Sequence, residues 1–280
     1  MYKNLGDAEL ITSSLNKIIP VYFWNKNFDG KKNFGDMVSK DIVEYISGAK
    51  VVHVGADVPN KLLATGSILT TSTYRSKCVV WGSGTLNPKT VAYNPHIRFC
   101  AVRGPLTRNV LMKAGYKLPP IYGDPALLLP RIYNPKIQKT HKLGIILHWR
   151  HREQIKIHPS VKYIEILRTP DEKFKFIDDI LSCEYILSTS LHGLIVSDAY
   201  GVPSKYCTVE NKKLEGEEHF KFNDYFESVG RKDVAPLLLS SSETITDNFA
   251  SKVVERPEVD LDLDLLTDVF PYDFYYDIQE

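Results

Sequence analysis

The chain has 280 residues, a length that suits two α/β domains of ordinary size or one large one. Hydrophobic residues make up 43% of it and charged residues 25%, which is the composition of a folded globular protein. Its 35 basic and 34 acidic residues leave a net charge of +1, which excludes the electrostatic footprint of a nucleic-acid-binding protein.

The N-terminus and the cysteines indicate the cell compartment. The first residues, MYKNLGDAEL, lack a basic segment followed by an apolar one, and apolar runs elsewhere are far shorter than a membrane span. We therefore expect a cytoplasmic protein, and we leave open a peripheral contact with the inner face of the cell membrane. The four cysteines (Cys78, Cys100, Cys183, Cys207) lie far apart without a CxxC pair, which predicts buried free thiols instead of disulfides or a zinc site.

The first predicted elements form a strand–loop–helix unit. Ile18 to Trp24 reads as a buried strand, and the loop after it is rich in glycine, lysine and asparagine and ends in NFGD. Asp36 is a good N-cap for the helix that follows, and Gly48 closes that helix. Such a unit can bind a phosphate, but the glycines form no GxGxxG fingerprint, so a simply capped helix remains the alternative.

The rest of the first half predicts a parallel sheet. Four runs are apolar throughout, as in strands covered on both faces: Lys50 to Val54, Lys61 to Gly66, Cys78 to Gly82 and Arg98 to Val102. The residues that follow three of these runs would lie together at the carboxyl edge of the sheet, where a ligand can approach: Ser67, Ser83 and Arg103. Pro105 then suits the first position of a helix that ends at Gly115.

The second half begins after a linker. Arg131 to Lys142 is polar and basic and contains a proline, and it separates two predicted domains. Leu143 to His148 opens a second sheet and runs into Trp149-Arg150-His151-Arg152. A charge run of this kind is usually a solvated face, but at the mouth of a strand it is also well placed for a phosphate. Lys162 to Leu167 is the next strand and Pro170 to Leu181 the next helix.

The densest pattern in the chain is a βαβ unit. Glu184 to Ser188 is its first strand, a helix begins at Leu191 and stops at Gly201, and Ser204 to Val209 is its second strand. His192 falls in the first turn of the helix, where α/β sheets place their ligands. Free backbone N–H groups favour an anion there, and an imidazole beside it can donate or accept a proton. A capping or packing histidine is the alternative.

The last elements complete the division of the chain. His219 to Gly230 is an aromatic-rich short helix or lid, which we interpret as a platform for a sugar. An acidic segment with leucine and aromatic residues at helical intervals follows. We divide the chain into residues 1–135, a first Rossmann-like domain, residues 136–252, a second one, and residues 253–280, a helical tail that packs back on the first.

Five ordered stretches of the sequence resemble the polysaccharide pyruvyl transferase family, and a sixth is similar to that family's closing segment. They are NFGD at Asn33 to Asp36, LLATGSIL at Leu62 to Leu69, VWGSG at Val80 to Gly84, VRGPLTR at Val102 to Arg108 with YGDPALLLP at Tyr122 to Pro130, SLHGLIVSDAYGVPS at Ser190 to Ser204, and KFNDYFESVGR at Lys221 to Arg231. Each stretch alone is a weak signal. The ordered set is specific, and it spans most of the chain.

This resemblance implies an α/β fold with two Rossmann-like parallel-sheet domains in a glycosyltransferase-B-like arrangement, the first on the acceptor side and the second on the donor side. It implies transfer of the enolpyruvyl group of phosphoenolpyruvate to a sugar diol of a surface-polysaccharide precursor. The products are a pyruvate ketal and phosphate, and no cofactor is expected. The acceptor is expected to be a lipid-linked oligosaccharide or a polysaccharide repeat precursor.

The resemblance and the chemistry of this reaction together predict roles for individual residues. The family's motif histidine falls on His192, which we expect to act as the general acid. Donor contacts are expected from Arg103, His148, Arg150, Arg152, Ser190 and Gly193. Acceptor contacts are expected from Asp36, Ser67, Ser83 and Tyr225. Asp36 is either the base that deprotonates the acceptor or only a helix cap, and the sequence alone favours the cap. Many family members carry a basic residue where this chain has Ser190, which is a departure from the family's donor site. No cluster has metal-ligand spacing, so no metal is expected.

Two other functions fit the same architecture. A sugar-nucleotide glycosyltransferase needs a slot for the base and an acidic residue for the ribose, which Glu210, Glu215 or Glu217 can supply. A non-catalytic glycan-binding protein would suit the aromatic segment from Phe220 to Phe226. Fold alone does not decide among the three functions. The sequence also leaves open the acceptor sugar and the oligomeric state.

Overall fold

The computed structural model describes residues 17–70, 72–89, 92–152, 155–210, 218–253 and 259–277. The strands there are β1 (Lys17–Tyr22), β2 (Lys32–Asn33), β3 (Lys50–His53), β4 (Lys61–Leu63), β5 (Cys78–Trp81), β6 (Ile97–Ala101), β7 (His141–Ile146), β8 (Lys156–Ile157), β9 (Lys162–Tyr163), β10 (Leu167–Arg168), β11 (Cys183–Ser188), β12 (Ser204–Val209), β13 (Leu237–Leu239), β14 (Thr244–Ile245) and β15 (Tyr276–Asp277). The α-helices are α1 (Phe34–Ser47), α2 (Pro105–Lys113), α3 (Lys175–Leu181), α4 (Leu191–Ala199), α5 (Glu218–Ser228) and α6 (Leu263–Asp268). Single 3-10 turns connect several of these elements, the longest being Pro125–Arg131.

Two parallel sheets organise the molecule. The first runs β3-β1-β4-β5-β6, with β15 added antiparallel at the start of β1. The second runs β13-β12-β11-β7-β9, and all of its strands are parallel. The predicted α/β class with two Rossmann-like sheets is therefore confirmed.

Both sheets have the same strand order. In each, the strand that comes first in the chain lies between the second and the third, so that β1 neighbours β3 and β4, and β7 neighbours β9 and β11. This is the order 2-1-3-4-5 of doubly wound sheets, in which the chain changes direction across the sheet between the first and third strands. Ligands bind outside the carboxyl ends of the strands at that point. The topology therefore marks the ends of β1 and β4 and the ends of β7 and β11.

One hydrophobic core joins the two halves. Val21, Leu62 and Trp81 of the first sheet belong to the same buried cluster as Ile146 and Leu194 of the second half. Helix α4 is buried on nearly all sides, which explains why its sequence is apolar with little amphipathic contrast. Because the core is continuous, the two sheets cannot move independently without exposing apolar surface.

Further contacts cross between the halves. Strands β2 and β10 pair antiparallel, and Phe34 N donates a hydrogen bond to Ile166 O at 3.0 Å. In the C-terminal segment, the indole Nε1 of Trp81 donates to the carbonyl oxygen of Leu266 in α6 at 2.8 Å. Residues 254–258 and 278–280 of the predicted tail lie outside the described residues, and the proposed boundaries at 135 and 252 remain a proposal.

Several predicted elements have different bounds. Helix α1 begins at Phe34 and its N-cap is Asn33, whose side chain accepts a hydrogen bond from Gly35 N, so the prediction that Asp36 is the cap is wrong. The predicted strand from Lys162 to Leu167 is interrupted, with β9 and β10 at its two ends. The helix predicted from Pro170 begins only at Lys175, after a 3-10 turn.

The cysteines match their predicted state except in the burial of one of them. All four are free thiols, with Cys78, Cys183 and Cys207 buried as predicted and Cys100 only half-buried. In the described ranges, no helix is both long and apolar enough to cross a membrane.

Candidate functional site

A cavity of about 530 Å³ lies between the carboxyl ends of the two sheets. Its walls come from the segments that follow β1 and β4 in the first sheet and β7 and β11 in the second, which are the positions that the strand order marks. The lining residues are Tyr22, Trp24, Asn33, Asp36, Ser67, Ile68, Thr70, Leu86, His148, Trp149, Arg150, His151, Thr189, Ser190, Leu191, His192, Lys221 and Phe222. Both halves of the chain therefore contribute to one site.

His192 lies where the N-termini of two helices meet. It occupies the first turn of α4, and its ring lies directly against Gly35 in the first turn of α1. A Cβ at position 35 would be 1.9 Å from the Nδ1 atom of His192, so only glycine leaves room for the ring. The Nε2 atom is 4.0 Å from Oδ2 of Asp124, and neither atom has a hydrogen-bond partner. Asp124 is fully buried and does not line the cavity.

The imidazole of His192 is neutral in this environment. Burial, together with the positive charges of Arg103 and Lys221, lowers its pKa to about 3. A neutral ring can accept a proton but has none to give from a cationic form at neutral pH. The expectation that His192 is the general acid stays a prediction, because it requires a bound anion to raise the pKa of this ring.

Two carboxyl groups near His192 have the opposite shift. Burial raises the pKa of Asp36 to about 8; Lys221 lowers it in part and Asp124 raises it. Burial likewise raises the pKa of Asp124 to about 6, against the effects of the Ala126 N–H and Arg103. Asp36 is thus protonated at neutral pH, although it lines the cavity. Because Asn33 caps α1, the side chain of Asp36 is not used as a cap.

The wall from the second sheet carries three of the predicted donor contacts: His148, Arg150 and Ser190. Burial, together with the charges of Lys221, His151 and Arg150, lowers the pKa of His148 to about 3. The backbone N–H of His148 donates to Oγ1 of Thr189 at 2.8 Å, which fixes the ends of β7 and β11 to each other. Arg150 is exposed at the mouth of the cavity.

Arg103 lies in the wall behind the cavity. It is fully buried and does not line the cavity. Its Nε donates to Oδ2 of Asp224 at 2.9 Å, one terminal nitrogen donates to Oγ of Ser67 at 2.5 Å, and the other donates to the carbonyl oxygen of Thr85 at 2.8 Å. The expected direct contact with a donor is corrected accordingly, because Arg103 instead holds Ser67 in place at the edge of the cavity.

Four other predicted contacts are also absent from the lining. Ser83 is buried and donates to Ala64 O at 2.6 Å, and Tyr225 is buried and donates to Asp198 at 2.6 Å, so neither reaches an acceptor. Arg152 forms an ion pair with Glu165. Gly193 packs α4 onto the sheet, since a Cβ there would be 2.3 Å from Oγ of Ser188.

The family assignment follows from a sequence comparison. The model of the polysaccharide pyruvyl transferase family matches residues 3–209, which is more than half of the chain. The chain belongs to this family. It is therefore a transferase of the polysaccharide-pyruvylating type, with a polysaccharide as its implied acceptor.

Two similar proteins have no stated activity. An uncharacterized protein of Acanthamoeba polyphaga mimivirus is 29% identical in an alignment of 211 residues, and the match covers 71% of each chain. The crystal structure of a functionally uncharacterized protein from Klebsiella pneumoniae subsp. pneumoniae NTUH-K2044 superposes with a TM-score of 0.46 and 12% identity. This alignment covers 85% of the present chain and 96% of the other.

The sequence did not single out four residues at or near the candidate site: Gly35, Asp124, Lys221 and Trp24. Gly35, Asp124 and Lys221 lie in stretches that resemble the family, NFGD, YGDP and KFND, so a signal was present for these three. Nothing in the sequence pattern indicated Trp24.

Two other kinds of site concern a metal ion and the ribose of a sugar nucleotide. In the parts of the chain that the structure describes, no group of three or more His, Cys, Asp or Glu side chains is arranged to hold a metal ion. Of the acidic residues considered for a ribose, Glu215 and Glu217 lie outside the described residues, and Glu210 accepts a hydrogen bond from Ser240.

Proposed function

We propose that this pyruvyl transferase uses phosphoenolpyruvate as its donor and forms a cyclic pyruvate ketal on a sugar diol, releasing phosphate. In this reaction two hydroxyl oxygens form bonds to C2 of the donor, and the C2–O bond to phosphate breaks. One of the two hydroxyl protons replaces the proton that the protein donates to the methylene carbon, which becomes a methyl group. The other hydroxyl proton leaves with phosphate. The reaction therefore needs an anion site, an acid and a base close together.

The observation that carries the proposal is the convergence of two helix N-termini and Lys221 on one cavity. Helices α1 and α4 begin at the cavity, at Phe34 and Leu191. The positive ends of the two helix dipoles favour an anion there, although the N–H groups of Phe34 and Gly35 already donate to Ile166 O and to the side chain of Asn33. Lys221 adds a positive charge, which influences Asp36, His148 and His192. A small, multiply charged donor such as phosphoenolpyruvate suits this site.

The pKa values support a division of labour between Asp36 and His192. Asp36, with a pKa of about 8, holds a proton at neutral pH and acts as the acid that protonates the methylene carbon. His192 is neutral and acts as the base that accepts the proton of an attacking hydroxyl group. Binding of an anionic donor raises the proton affinity of the imidazole, and Asp124, 4.0 Å from Nε2, stabilises the resulting cation.

The test is incubation of the protein with phosphoenolpyruvate and a panel of aryl- and lipid-linked saccharides. The expected result is phosphate release that depends on the saccharide, together with the mass gain of one pyruvate ketal on the product. A thermal-shift series should show stronger protection by phosphoenolpyruvate than by sugar nucleotides. Stronger protection by a sugar nucleotide without phosphate release would favour a glycosyltransferase instead. Saccharide binding with no chemistry would favour a glycan-binding protein.

A further inference from the structure

Three aromatic side chains from both halves of the protein meet at the mouth of the cavity. Trp24 and Phe28 lie in the segment after β1, and their ring centroids are 5.9 Å apart. Phe28 in turn contacts Trp149, which follows β7, with centroids 5.1 Å apart. Trp24 and Trp149 both line the cavity. We call Trp24, Phe28 and Trp149 the aromatic aperture.

Two cationic side chains flank the aromatic aperture. The Nζ atom of Lys26 lies 5.1 Å from the ring centroid of Phe28 and 5.7 Å from that of Trp149. The guanidinium carbon of Arg150 lies 4.9 Å from the ring centroid of Trp149. Both side chains are exposed. Among the lining residues that the structure describes, Asp36 is the one carboxyl group, and its raised pKa keeps it neutral. The mouth is therefore positive.

The proposed donor does not account for this arrangement. Phosphoenolpyruvate has only three carbons, and Lys221 and the two helix N-termini already supply an anion site around His192. Flat apolar rings contribute little binding energy to an anion, whereas the C–H face of a pyranose packs well on an indole. A cavity of about 530 Å³ also has room for a sugar beside the donor.

We propose that the aromatic aperture holds the acceptor, and that this acceptor is an anionic saccharide. A sugar ring packs against Trp24 and Trp149, and its phosphate ester or carboxylate pairs with Lys26 and Arg150. The aperture then sets which sugar reaches Asp36 and His192. This inference rests on the proposed function only in treating the bound saccharide as the acceptor of pyruvyl transfer.

Tryptophan fluorescence provides a direct test without turnover. The chain has three tryptophans, and Trp81 is fully buried, so a change in emission on adding a saccharide reports on the aperture. The probes are glucose 1-phosphate, glucuronic acid and methyl glucoside, titrated into the full chain without phosphoenolpyruvate. We expect saturable quenching, with about tenfold tighter binding of at least one anionic probe than of methyl glucoside. The phosphate and carboxylate arms identify which anion is preferred.

Variants separate the aperture from the donor site. Trp149→Leu should remove most of the quenching and weaken saccharide binding, whereas Tyr45→Leu, at an exposed tyrosine of α1, should change neither. The double variant of Lys26→Gln and Arg150→Gln should abolish the preference for the anionic probe, and Lys113→Gln, at an exposed lysine of α2, should keep it. Circular dichroism confirms that each variant is folded.

Three outcomes would overturn the inference. These are equal binding of neutral and anionic probes, quenching that Trp149→Leu leaves unchanged, or a rise in the donor KM instead of the acceptor KM in Arg150→Gln. The last outcome would make Arg150 a donor contact. If the aperture binds anionic saccharides as expected and no phosphate is released in turnover assays, the inference holds and the proposed reaction fails.

Discussion

Replacement of Gly35 by alanine tests how closely the two helix N-termini position His192. A Cβ at position 35 would lie 1.9 Å from Nδ1, where ordinary contacts are at least 3.4 Å, so the ring must move by about 1.5 Å. A displacement of roughly 1 Å at a reacting group can reduce the rate by about 10²-fold. Alanine favours the helix by up to about 1 kcal/mol, while overpacking costs about 1–3 kcal/mol, so the net loss of stability should be about 0–3 kcal/mol.

The assay measures the initial rate of phosphate release and the free energy of unfolding in urea for the same samples. Gly35→Ala should lose at least 10²-fold in rate and remain folded. In a background of His192→Ala the clash disappears, so the same change should no longer destabilise the protein. The two substitutions should therefore be coupled by about 1–3 kcal/mol. A Gly35→Ala protein with the rate of the original, or additive effects on stability, would refute the argument.

Three other changes test the site and its support. His192→Gln should lower kcat by about 10²–10⁴-fold and leave thermal protection by phosphoenolpyruvate intact; near-full activity would make His192 a binding residue only. Burial raises the pKa of Asp36 from its ordinary value of 3.8 to about 8. The protonated Asp36 side chain therefore contributes fully to the free energy of unfolding below about pH 4, and this contribution is lost as the pH rises through about 8. Asp36→Asn should remove this slope and abolish most activity, as urea titrations across pH and rate profiles will show. Asp224→Ala leaves Arg103 buried without its partner and should cost about 3–5 kcal/mol of unfolding free energy, whereas Asp273→Ala, at an exposed ion pair, should cost less than about 1 kcal/mol.

The parts of the fold that are apolar throughout were predictable from the sequence. The unit of β11, α4 and β12 was predicted almost residue for residue, because strands covered on both faces leave uninterrupted apolar runs. Part of the sheet edge was also predictable, since β4, β5 and β11 are followed by glycine, serine or threonine. Ser67 and Ser190 therefore reach the cavity, as expected of residues at the carboxyl ends of parallel strands.

The roles of charged and aromatic residues were harder to predict. Arg103 follows a strand end, like Arg150, and only the tertiary structure shows that Asp224, more than 100 residues later, buries it. The aromatic residues of α5 were interpreted as a sugar platform, but Phe222, Tyr225 and Phe226 are core residues with at most 2% exposure. Their spacing of three and four residues was the available signal for a buried helix face.

The N-terminus of α1 illustrates a different limit. NFGD offers two good caps three residues apart, Asn33 and Asp36, and local preference alone does not choose between them. The choice depends on Phe34, whose buried ring and backbone bond to Ile166 fix the start of the helix. These contacts come from the second half of the chain.

The pairing of Arg103 with Asp224 has a consequence for how the protein is made. The two residues are 121 positions apart, and synthesis at roughly 5–20 residues per second separates their emergence from the ribosome by about 6–24 s. During that interval the nascent first sheet carries a guanidinium that has no carboxylate to bury it. The wall behind the cavity is therefore completed late, when α5 docks against α2, and chains interrupted before Asp224 should be prone to aggregation and dependent on chaperones.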